Sequence, residues 1–99
     1  MADLLAELKS RLQITWADSI TDQVLMQHII RSKKYFNELC ENDFLFEIDS
    51  TECELLFERC RYVWNNALDE FEVNYKKELQ RLIMDTAIAQ YKAGESSGE

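Results

Sequence analysis

Apolar residues recur every three or four positions over most of the chain, and the longest such run spans residues 59–90. There they fall at Cys60, Val63/Trp64, Ala67, Phe71, Tyr75, Leu79, Leu82/Ile83 and Thr86/Ala87. That is helical spacing held for many turns. Leu4, Leu5, Leu8 and Leu12 mark a first helix from about Ala2 to Gln13, with Asp3 suited to the positive end of its dipole. The connector Ile14–Asp18 follows, and its Trp16 is expected to plug the junction between two helices. A second helix is expected from near Ser19–Thr21 to about Glu41, capped by Ser19 with Asp22 in its first turn. Val24, Leu25, Ile29, Ile30, Phe36 and Leu39 form its apolar face.

Residues 42–50 break the helical period. Phe44, Phe46 and Ile48 alternate with Leu45, Glu47 and Asp49, yet no second extended segment exists to pair with them. The segment therefore reads as a loop pinned to the core by its aromatics. Thr51-Glu-Cys-Glu54 matches a capping box, in which hydroxyl and carboxylate satisfy each other's free amides. The helix it opens runs either unbroken from Thr51 to about Tyr91 or with a break or kink near Leu68–Asn74, where Asn74 offers a new cap. The break is favoured, because a helix that long needs partners to bury its stripe.

The chain has no proline, and its two glycines are Gly94 and Gly98. Both residue types break helices, so their absence from the interior strengthens the helical reading. The expected fold is all-α: a small bundle of four or so helices with a long C-terminal hairpin or kinked helix and one irregular loop. Residues 1–92 form one helical domain, and residues 93–99 read as a flexible polar tail. Ninety-nine residues allow one modest core and no second one.

Charge narrows the function classes. The net charge is −8, and the stretch from Glu41 to Glu58 holds seven acids and no base. Such a chain does not hold a phosphate backbone or an anionic membrane by charge. No apolar run is long enough to span a bilayer, and the acidic N-terminus lacks the basic start of a signal peptide. The chain is expected to stay in the cytoplasm of the cell that makes it, with the three cysteines reduced.

Catalytic chemistry has little to stand on. His28, the single histidine, sits in an amphipathic helix with no nucleophile signature beside it. Cys40, Cys53 and Cys60 lack metal-ligand spacing and read as small hydrophobes. No glycine-rich phosphate loop and no carboxylate pair in apolar sequence occur. No catalytic residue, cofactor or metal is expected. The eleven aromatics (two Trp, four Tyr, five Phe) are more than one small core easily buries. Some are then expected to face partners, where Tyr and Trp join apolar area to a polar handle.

The run Arg59-Cys-Arg-Tyr-Val-Trp-Asn-Asn-Ala-Leu-Asp-Glu-Phe-Glu-Val-Asn-Tyr75 resembles the small head–tail connector (adaptor, head-completion) proteins of siphophages and related prophages. Leu4-Leu-Ala-Glu-Leu-Lys-Ser-Arg-Leu-Gln-Ile-Thr-Trp16, the long helix after Asp22 and the acidic loop fit the same order. The resemblance covers roughly residues 4–91. It implies a virion protein at the head–tail interface, about a dozen copies forming a ring beneath the portal protein. Such a ring extends the DNA channel, lets double-stranded DNA pass without specific binding, and receives the head–tail stopper or next neck protein. Trp64, Phe71, Tyr75, Phe44 and Phe46 are the candidate interaction residues, with Tyr91, Lys92 and the tail after them as portal-facing candidates and the acidic loop Glu41–Ser50 as a candidate for contacts with neighbours or the tail side. The competing reading is a small helical regulator or antitoxin-like module with one protein partner.

Overall fold

A computed structural model describes residues 4–97, with side chains over residues 4–92. It is all-α among the described residues: α1 Leu4–Arg11, α2 Ser19–Cys40, α3 Thr51–Trp64, α4 Leu68–Asn74 and α5 Lys76–Ser97. Of the expected tail over 93–99, residues 93–97 continue the helix α5, and residues 98–99 lie outside the described residues. Extents of 53 × 32 × 18 Å make the molecule a slab about two helix layers thick. α2 runs through its middle and packs on α1, α3 and α5.

The core lies where the apolar stripes meet. Leu8, Leu25, Ile29, Phe36, Leu56, Phe57 and Phe71 are all buried. Arg11 fastens α1 to α3 with two bonds to Glu54, at 3.0 and 2.8 Å, and lies 4.5 Å from the centre of the Phe57 ring. Lys9 and Asp22 pair at 2.8 Å between α1 and α2.

Trp16 does not plug the first junction: it is 51% exposed, and Ile14 is buried in its place. Val24 and Ile30 also turn outward, because α2 buries the line Leu25–Ile29–Ser32–Phe36–Cys40 instead.

Both caps sit one residue before their expected positions. The Asp18 carboxylate, not Ser19, accepts from the Ile20 and Thr21 amides and the Thr21 hydroxyl. A cap of this type contributes about 1 kcal/mol. Ser50, not Thr51, caps α3 by accepting from the Cys53 amide at 3.2 Å. Glu54 is drawn to Arg11 instead of closing a capping box.

The break expected near Leu68–Asn74 is present as two interruptions that flank this stretch, which is itself α4. The first interruption is Asn65–Ala67, where Ala67 N–H bonds to Tyr62 O at 2.7 Å and Asn66 N–H to Val63 O at 3.1 Å. This is the Schellman ending, with Asn66 in the left-handed region at φ 57°. The second is a one-residue kink at Tyr75. Backbone bonds Tyr75→Phe71 and Leu79→Tyr75, at 2.9 and 2.8 Å, carry the chain across it.

The loop over residues 42–50 is pinned as expected. Phe46 is buried, Phe44 packs edge-on to it with centroids 5.7 Å apart, and Phe44 N–H bonds to Asn37 Oδ1 at 3.0 Å.

Candidate partner-binding surfaces

The aromatics of α3 and α4 converge inside the chain. Phe71 is fully buried, edge-on to Phe36 and Tyr62 and stacked on Tyr75 at 5.1 Å. Each polar handle around it is taken by a neighbour. Tyr75 Oη donates to Glu58, Asn74 Nδ2 donates to Tyr62 Oη, and Tyr35 Oη donates to Glu72. Tyr75 is half-buried, and Trp64 is half-buried against the same core. Phe71 and Phe46 lie wholly inside and Phe44 partly so; these three bind the chain's own elements to one another.

Glu58 is the electrostatic centre of this latch. Burial works against its charge, but hydrogen bonds from Arg61 and Tyr75 outweigh that and hold its pKa below the ordinary carboxylate value. The hydrogen bond to Glu58, helped by burial, pushes the Tyr75 pKa up to about 12. Burial and the Glu72 bond push Tyr35 to about 12 as well. A raised phenol pKa contributes stability that is complete below the unfolded value near 10 and is lost as pH rises through the folded value. Stability is therefore expected to fall between about pH 10 and 12. An ultraviolet titration should show two late-ionising tyrosines, and Tyr35→Phe with Tyr75→Phe should abolish that late phase.

The three cysteines are buried. Burial raises all three thiols, Cys53 to about 11. Among the described residues no group of His, Cys, Asp and Glu could hold a metal. No helix among them is long and apolar enough to cross a membrane.

The exposed apolar residues are mostly others than those singled out from sequence. Of those, Tyr91 is 72% exposed, and Lys92 beside it is exposed too. With them on α5 stand Met84 and Ile88, 63% and 49% exposed. Lys77, Arg81, Met84, Ile88 and Tyr91 are spaced 4, 3, 4 and 3 apart, so they share the face of α5 opposite its buried Leu79, Leu82 and Thr86. Leu45, at the tip of the acidic loop, is 80% exposed. Trp16, before α2, and Ile20 and Val24, in its first turns, are exposed as well.

The loop and α5 also touch within the chain. Gln90 Nε2 donates to Glu41 O at 2.9 Å and to Asn42 Oδ1 at 3.2 Å. Below that bridge is an open groove of about 400 Å³ between Phe44, Glu52, Leu82, Asp85 and Thr86. Comparison with protein-family models, curated proteins and solved structures finds no match to this chain.

Proposed function

We propose that the protein is a head–tail connector subunit, a structural part without catalytic activity. Copies form a ring beneath the portal of the filled capsid, extend the DNA channel and give the next neck protein a platform. The observation that carries this reading is the second apolar face of α5, which ends in the exposed Tyr91 and Lys92. A helix that already buries one face in its own core and shows another has surface for a protein partner. Tyr91, Lys92 and the residues after them are assigned to the portal. The resemblance over residues 59–75 supplies the kind of assembly. Charge is consistent with it: an acidic lining repels phosphate and lets DNA slide, whereas a basic lining would hold it.

The test is electron microscopy of lysates from the phage or prophage after deletion of this gene. DNA-filled or leaking heads beside separate, complete tails are the expected result. Normal tailed particles would overturn the proposal in favour of a regulatory module.

A further inference from the structure

We propose that the outer face of α5 in one subunit receives the acidic loop of the next, with Leu45 seated between Met84 and Ile88 and the loop carboxylates facing Lys77 and Arg81. The pairing of surfaces stands on the observations below. Its closure into a ring rests on the connector reading.

The two surfaces are complementary in shape and charge. Lys77, Arg81, Met84 and Ile88 give α5 a basic, apolar outer strip on a protein whose net charge is −8. Asp43, Glu47 and Asp49 are exposed around the loop, which has no base between Glu41 and Ser50. Leu45 projects from the middle of these acids because its neighbours Phe44 and Phe46 turn inward. Among the described residues, neither set of charges enters an ion pair; the ion pairs there involve Lys9, Arg11 and Arg61 with Glu7, Asp22, Glu54 and Glu58.

Position decides who the partner is. The loop lies against the inner side of its own α5, bridged to it by Gln90. The basic strip is on the other side of that helix, so the two surfaces cannot meet within one chain. Two α5 strips packed in parallel would set Lys77 and Arg81 of both copies together, a like-charge arrangement that opposes the contact, and packed antiparallel would leave these cations against apolar residues with no counter-charge. Joining one copy's strip to another's loop avoids this. Such a contact uses different patches on the two partners, so it repeats from copy to copy and closes into a ring when the rotation permits.

The contact is small. One leucine between Met84 and Ile88, framed by a few ion pairs, buries well under the roughly 1,000 Å² of a stable interface. A single contact is therefore weak, and closure or a template that holds several copies is needed for a lasting assembly.

The test is sedimentation of the full chain across concentrations into the millimolar range, at low and high salt. The wild type should associate beyond dimer as concentration rises, and salt should weaken it. Lys77→Glu with Arg81→Glu, and separately Asp43→Lys with Glu47→Lys, should each weaken association by roughly tenfold or more. Circular dichroism should show both variants folded, since all four residues are exposed. Mixing the two variants should restore association, because each charge reversal then meets its complement. A wild type that stays monomeric throughout would overturn the inference, as would a loop variant that associates like wild type. Either outcome with a positive deletion phenotype removes this contact and leaves the connector role standing.

Discussion

Phe71→Ala is expected to lower the unfolding free energy by about 3–5 kcal/mol, the usual cost of truncating a buried phenylalanine. Domains of this kind are stable by only about 5–15 kcal/mol, so the loss is a large fraction of the whole. The position has no compensating neighbour. α4 has seven residues, no side-chain cap at its start, and Phe71 as its one buried residue. So short a helix does not persist alone, because nucleation consumes most of what its few hydrogen bonds return. Its place depends on the Phe71 ring lying between Phe36, Tyr62 and Tyr75. The substitution therefore leaves a cavity and also releases the link between α3 and α5. Urea titration should show a lower midpoint. An unchanged midpoint with lost assembly would instead make Phe71 a partner contact.

The helical class was legible because little opposed it: no proline, no glycine before Gly94, and apolar spacing near 3.6 everywhere but residues 42–50. The same absence of glycine hid where the helices stop. α1, α2 and α3 end on Gln13, Glu41 and Asn66 in the left-handed region, at φ 61°, 49° and 57°. A side chain there normally costs about 1–2 kcal/mol, so sequence reasoning looks for glycine at such positions. Asn65-Asn66 was the available signal, since asparagine tolerates that conformation best after glycine. The aromatics were ambiguous for a different reason. Phe71 and Tyr75 share one periodic phase with Leu79 and Leu82, and phase locates a face without saying whether the chain or a partner covers it. The outer strip of α5 was masked by the core stripe on the same helix. Only the structure separates Met84 and Ile88 from Leu82 and Thr86. Tyr91 and Lys92 were singled out through the resemblance and do lie on the surface.

Leu82→Asp is expected to detach α5 while α1–α3 stay folded. α5 is held to the bundle by Leu79, Leu82 and Thr86, with the Gln90 bridge to the loop. Removing the Leu82 side chain forfeits about 2 kcal/mol of apolar burial. The new carboxylate also enters a groove already lined by Glu52 and Asp85, where it lacks a cation and repels both. Once undocked, the 22-residue helix loses the tertiary packing of its apolar face, from which a helix in a protein draws most of its stability. Native-state hydrogen exchange should show α5 amides exchanging about 100-fold faster, equivalent to about 2.7 kcal/mol. Amides in the middle of α2 and α3 should change far less. Self-association should weaken too, although residue 82 faces inward, because the strip from Lys77 to Ile88 exists as a surface only while α5 is helical and docked. Equal acceleration in every helix would mean that α5 unfolds only with the whole domain, and would exclude a separately releasable helix.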